Sequence, residues 1–344
     1  MARPPPRSHF LARRTNRVNV SPAQKRWLLR GAKIAVLALL GWGMHVTLTR
    51  AIADLGKPEF EKHLWNIRPG WLAAAGAFYL AGMLPTAIFS GRLLIALGQP
   101  VTLLCALRAF YISQIGKYVP GKAMVIVLRA GLLGGASIEK TVVTASVFID
   151  TLTTMACGCL LATVALICTA PQKLDAILVG AGMLLITGIP AIPAVFARVV
   201  RMLGIGRINP GAAERLRGVS GRELALGWLM IAAGWLLQGL SLWAVLRAVG
   251  ATDDGPLANW PLHTAAAALA VVVGFLTMIP AGFVGREFVL TELMAPVYGP
   301  PLAALSALVL RLVWLVAEVL VSCILYFLGS PPTAGVQEAD PPRT

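Results

Sequence analysis

Seven charged side chains interrupt stretches that are otherwise nearly free of charge: Arg129, Asp150, Arg286, Glu287, Glu292, Arg311 and Glu318. Asp150 is the only charge in the apolar run 141–169. Arg311 and Glu318 stand seven residues apart in the run 301–328, which places them on one helical face. They are roughly 10 Å apart along the axis, too far for a close pair, so each needs a partner on another helix. A charge held at the centre of a bilayer costs about 2.5–3.5 kcal/mol, so such groups face a protein interior. Two readings follow. The charges are ion pairs that fix helix packing, or they line a polar pathway for a zwitterionic or anionic head group. Arginine suits phosphate because its planar fork takes two oxygens at once. The acids would balance the arginines or engage an amine.

A second signal is interrupted backbone. The stretch 101–134 is apolar but carries Arg108, Lys117, Lys122 and Arg129, with Pro120-Gly121 in the middle. The stretch 269–296 repeats the plan: an apolar helix, a break at Pro280-Ala281-Gly282, then a short helix with Arg286, Glu287 and Glu292. Each half is too short to span, which describes a re-entrant hairpin. Non-helical backbone survives at membrane depth only where protein or water satisfies it, so each break should line a cavity. For 101–134 the alternative is one ordinary span to residue 119 followed by a surface helix.

The elements that must position these groups follow from composition. Hydrophobic residues make up 57% of the 344 and charged residues only 13%, where a soluble domain carries about 25%. The mean hydropathy is +0.76. Apolar runs fall at Gly31 to Thr49, 70–90, 141–169, 176–197, 224–249, 262–283 and 301–328. Pro190 and Pro193 should kink or end the fourth. The expected fold is an all-α polytopic membrane protein of about seven hydrophobic segments with two broken or re-entrant helical elements. The third to fifth spans separate the broken elements, an odd number, so the two would enter from opposite faces, as in an inverted repeat. The expected organisation is a disordered basic cytoplasmic arm over 1–30, one transmembrane domain over 31–329 and a short disordered tail over 330–344.

The net charge of +15 is carried largely at one end and in two connecting segments. Ten Lys or Arg precede the first acid, Asp54, nine of them before residue 34. A basic arm against an apolar run sets orientation and contacts anionic lipid. Nucleic acid is not an expected partner, because nothing resembles a groove reader. Segments 91–140 and 198–223 are also basic, whereas 250–261 holds Asp253 and Asp254 and no base. The alternation predicts a cytoplasmic N-terminus. The tail is too weakly biased to place the C-terminus. The five cysteines match no disulfide or zinc framework and read as small buried apolar residues. His45 and His263 read as interfacial residues, and the nine tryptophans mostly as an interfacial belt. Catalytic motifs such as HExxH, GxSxG and Walker A do not occur, and no cofactor or metal is expected.

Three strings carry a resemblance: YISQIGKYVPGKAMVIVLRAGLLGG (Tyr111 to Gly135), IPAGFVGREFVLTELM (Ile279 to Met294) and RLVWLVAEVLVSCILY (Arg311 to Tyr326). Their order and spacing resemble the lysylphosphatidylglycerol synthase transmembrane family, a flippase-like membrane domain, over roughly residues 30–330. The resemblance implies movement of a lipid between leaflets. It assigns Lys117, Pro120, Gly121, Lys122 and Arg129 to the first broken element. Pro280, Gly282, Gly285, Arg286 and Glu287 belong to the second, and Arg311 and Glu318 to the charged last helix. Ala281 and Phe283 depart from a more glycine-rich family pattern. Bifunctional members add a soluble aminoacyl-transferase domain; this chain stops at Thr344, so an enzyme of that kind is not expected.

The expected function is therefore a translocase for a lipid or lipid-linked head group in the bacterial plasma membrane. Its expected partners are membrane lipids, phospholipid or polyprenyl-linked, and a biosynthetic enzyme. Alternatives are a scaffold for lipid or glycan biosynthesis and an integral-membrane transferase with a polyprenyl-linked donor. The transferase would need Glu287 and Glu292 as an acidic site.

Overall fold

The structure is a computed structural model. It describes residues 66–119, 123–134, 138–192, 220–252, 255, 258–276 and 285–328, with isolated positions between 42 and 53 and at 195 and 198. The expectations for 1–30, for 330–344, for the body of the first run, for residues 199–219 of segment 198–223 and for Asp253 and Asp254 lie outside those residues. So do the breaks themselves: Pro120, Gly121, Lys122, Pro280 and Gly282.

Among the described residues every regular element is a helix. The helices are α1 (Pro69–Ala96), α2 (Leu103–Ser113), α3 (Ala123–Leu132), α4 (Lys140–Thr169), α5 (Leu174–Ala191), α6 (Gly221–Ala248), α7 (Trp260–Leu276), α8 (Gly285–Tyr298) and α9 (Pro300–Leu328), with a 3₁₀ turn at Gln114–Tyr118. Helices α1, α4, α6 and α9 are long and apolar enough to cross a membrane. They correspond to the second, third, fifth and last runs. The fourth and sixth runs give shorter apolar helices, α5 of 18 residues and α7 of 17, about 27 and 26 Å long at helical rise. Helix α5 ends at Ala191, just beyond Pro190.

Local signals set the helix starts. Pro69 opens α1 and Pro300 opens α9, where a missing N–H costs nothing. Thr102 caps α2 by accepting from the Cys105 N–H at 3.3 Å. Ser220 caps α6 by accepting from the Glu223 N–H at 3.2 Å. Glu223 then pairs with Arg92 near the end of α1, which accounts for two charges at the same end of the bundle.

Helices α1 and α6 form the most extensive pairing. Gly82 and Gly234 sit at their crossing, where a Cβ on either would lie under 3 Å from the other's carbonyl oxygen. Small residues let transmembrane backbones approach this closely. Helix α2 and the 3₁₀ turn pack against α3 on the far side of residues 120–122. A Cβ at Gly116 would stand 2.5 Å from the Val125 nitrogen, so the 3₁₀ turn and α3 are in backbone contact. At 11 and 10 residues, α2 and α3 are each too short to cross a bilayer.

Three expectations are corrected. His263 is not interfacial: it is fully buried, with Nε2 2.8 Å from the Tyr298 hydroxyl. Trp235 and Trp314 are not belt residues. Both are 2% exposed, and their indole N–H groups donate to the Thr154 carbonyl and the Ser241 hydroxyl at 3.0 Å. A buried indole needs such an acceptor, and a polar interior supplies one. Of the cysteines, Cys157 and Cys159 are buried as expected, but Cys168 and Cys323 are exposed on their helices. A small apolar residue is as compatible with a lipid-facing surface as with a core.

Candidate functional site

A cavity of about 360 Å³ lies at the centre of the bundle. Its wall takes residues from α1 (Tyr79, Met83, Thr86), from α2 and the turn (Phe110, Gln114, Lys117), from α3 (Val125, Ile126, Arg129) and from α4 (Val147 to Met155). The remainder comes from α6 (Trp235, Gln238), α7 (Val271, Gly274, Phe275), α8 (Arg286) and α9 (Trp314). Both broken stretches therefore contribute to one chamber.

At one side, Arg129 and Asp150 form an ion pair at 2.5 Å with side chains 2% and 4% exposed. Arg129 also donates to the hydroxyls of Ser90 at 3.0 Å and Ser113 at 3.1 Å. Ser90 donates to Asp150 at 2.6 Å, and the Thr151 hydroxyl donates to the other carboxylate oxygen at 3.2 Å. The Phe110 ring lies 4.6 Å from the guanidinium carbon. The partners come from α1 (Ser90), α2 (Phe110 and Ser113) and α4 (Thr151), so the pair ties α1, α2, α3 and α4 together. Buried charges demand such full partnering.

At the other side, Lys117 pairs with Glu318, which has no exposed surface, and the Tyr79 hydroxyl donates to the same carboxylate. Tyr79 stacks on Trp314 with ring centroids 4.3 Å apart and planes 12° apart. The Arg286 guanidinium covers Trp314 as well, 4.8 Å from its ring centre. Arg286 and Glu287 are neighbours on α8 and point to different sides. Glu287 turns away from the chamber to Arg311 at 2.5 Å. Thus Arg311 and Glu318 each do have a partner on another element. Arg286 has no carboxylate and no hydrogen-bond acceptor among the described residues. It is a half-buried cation facing a cavity.

Residues 30–322 match the sequence profile of the family described as lysylphosphatidylglycerol synthase TM region. The chain belongs to that family. No curated protein sequence matches it. Membership and the long apolar helices together make it a multi-pass helical membrane protein of the lysylphosphatidylglycerol synthase transmembrane family.

Of the residues singled out in this family member by sequence, Lys117, Arg129, Asp150 and Arg286 line the chamber. Glu318 stands behind Lys117, and the Glu287–Arg311 pair stands behind Arg286. Glu292 is apart from them, paired with Lys173 at 2.6 Å and half exposed. The two acids a transferase would need therefore each hold a separate cation, and neither lines the chamber. Pro120, Gly121, Lys122, Pro280 and Gly282 are outside the described residues. Sequence reasoning missed Tyr79, Gln114, Gln238, Trp235 and Trp314, which form much of the polar and aromatic wall. Tyrosine and glutamine inside apolar runs were the available signal, since both carry polar groups that an apolar core would leave unpaired.

Among the described residues no group of acids, histidines and cysteines is placed to hold a metal ion.

Proposed function

We propose that this protein is a lipid translocase that takes a phosphate-bearing head group into the central chamber while the acyl chains stay in the bilayer. One observation carries the reading: Arg286 faces the cavity on an aromatic platform and pairs with no acid among the described residues. A cation held inside an apolar bundle without a counter-charge is costly, and an entering anion would relieve that cost. Lys117 lines the same chamber, and its ammonium has a third proton beyond those given to Glu318 and Tyr79.

In this reading 101–134 and 269–296 are re-entrant elements that enter from opposite faces, the other six apolar runs span, and motion of the two elements opens the chamber to each side in turn. The short lengths of α2 and α3 and their backbone contact at Gly116 support it. So does the placement of α4, α5 and α6 between the two elements. The membrane is a bacterial plasma membrane with the N-terminus cytoplasmic, held by the basic arm over 1–30 against anionic lipid. The transmembrane domain over 31–329 acts as a non-enzymatic unit beside a lipid-modifying partner.

Proteoliposomes containing the purified chain and a head-group-labelled anionic lipid, read by leaflet-specific quenching, test this. Transfer is expected with the native chain and a loss of about tenfold or more with Arg286→Gln. That substitution leaves no acid unpaired, so the fold should persist. Absence of transfer by the native chain would favour a non-transporting accessory role. Unchanged transfer by Arg286→Gln would remove Arg286 from the pathway.

A further inference from the structure

We infer that the chamber binds a proton together with its lipid, and that Glu318 is the group that holds it. The inference rests on the translocase reading and adds what is carried along with the head group.

Three acids take part in the interior ion pairs, and they are not alike. Asp150 and Glu287 are paired with arginines, which keep their protons. Both oxygens of Asp150 are also engaged, one by Arg129 and Ser90 and the other by Thr151. Glu318 is paired with a lysine, the one cation of the three that can hand over a proton. Its donors, Lys117 and Tyr79, both fall on Oε1. Oε2 is buried and has no hydrogen-bond partner among the described residues. A carboxylate can accept on both oxygens, so the charged form of Glu318 is only half served.

Water does not make up the difference, because the Glu318 side chain has no exposed surface. Lys117 and Tyr79, in front of it, line the chamber. Tyr118 lies beside the carboxylate without hydrogen-bonding Oε2, and Arg286 and Arg311 are near enough to repel the Lys117 ammonium. Arg311 is held by Glu287. On α2, Arg108 donates to carbonyls at the end of α9. Helix α6 carries its only titratable groups, Arg222, Glu223 and Arg247, near its two ends.

An anion entering the chamber competes with Glu318 for Lys117. As the ammonium turns to the phosphate, Glu318 keeps a single donor, Tyr79, and no counter-charge. A buried acid in that position takes a proton instead of remaining an ion. The Lys117 ammonium passes one proton to the carboxylate, the resulting amine takes one from chamber water, and the phosphate accepts from the restored ammonium. One proton has then entered with one phosphodiester anion. The interior carries the same net charge empty and loaded, and the two cargoes cross together without net charge movement.

The test uses the full chain in detergent micelles with dioctanoyl phosphatidylglycerol, whose phosphodiester does not titrate near neutral pH. Binding is read by tryptophan fluorescence, since Trp235 and Trp314 are in the wall, and proton uptake by an indicator dye in weak buffer. The native chain should take up about one proton per lipid bound, and its affinity should fall by up to about tenfold per pH unit as pH rises, because the loaded form holds the extra proton. Glu318→Gln removes the acceptor and should abolish the uptake and flatten the pH profile. Lys117→Arg keeps the ion pair but holds its proton, and should also lose the uptake. Native binding without uptake, or with pH-independent affinity, would overturn the inference and leave the translocase reading standing. Uptake that persists in both variants would overturn it by moving the proton to another group. No binding by the native chain at any pH would overturn the translocase reading itself, and this inference with it.

Discussion

Substituting Asp150→Leu removes the only anion that touches Arg129 among the described residues. The arginine side chain is 2% exposed, so solvent does not replace the lost partner. What remains are the hydroxyls of Ser90 and Ser113 and the Phe110 ring, none of which carries a compensating charge. Breaking a buried pair from one side costs about 3–5 kcal/mol, and the near-complete burial on both sides places this pair in that class. The double substitution Arg129→Met with Asp150→Leu removes both charges and fills similar volume, so most of the loss should be recovered. SDS titration in mixed micelles, followed by tryptophan fluorescence, measures both. A cost below about 1 kcal/mol for Asp150→Leu, as found for exposed pairs, would mean that the pair is wet and the burial argument wrong. The double variant also separates the two roles that intramembrane charges can have. If the pair only pins helices, transfer returns with stability. If it shapes the head-group pathway, the double variant is stable and does not transfer.

Two further outcomes follow from the same geometry. Lys117→Met leaves Glu318 buried with the Tyr79 hydroxyl but no cation, and should cost about 3–5 kcal/mol in the same titration; adding Glu318→Leu should restore most of it. Gly116→Val places a branched side chain where a single Cβ already meets the Val125 backbone, and should lower stability by about 1–3 kcal/mol or more, while Gly131→Ala, in open space on α3, should leave the melting temperature close to native.

The helical membrane architecture was legible because apolar runs and their breaks are local properties. Partner identity was legible only in part. The seven-residue spacing of Arg311 and Glu318 implies separate partners, but it says nothing of Glu287 or Lys117, which come from other elements. Arg129 and Asp150 are 21 residues apart, with a loop and the first ten residues of α4 between them, and their pairing depends on how α3 docks against α4. The neutral wall was harder still. Gln114, Gln238 and Tyr79 lie in runs whose periodicity is set by apolar residues, and a tryptophan in such a run reads equally as interface or interior. His263 was misplaced for that reason: proximity to a helix start does not reveal that α8 covers it through Tyr298.

The short helix α2, with the 3₁₀ turn that continues it, and the last helix α9 are stitched at three successive levels. Arg108 donates to the carbonyl oxygens of Leu325 at 2.9 Å and Tyr326 at 3.3 Å, Ser322 donates to the Tyr111 carbonyl at 3.4 Å, and Lys117 holds Glu318. The attachments run antiparallel and in step, like rungs. A piston-like slide of one helix along the other would tear every rung at once, whereas a tilt of both together would tear none. Changes in the shape of the chamber must therefore swing α2 and α9 as a single plank, with the give located on its opposite wall.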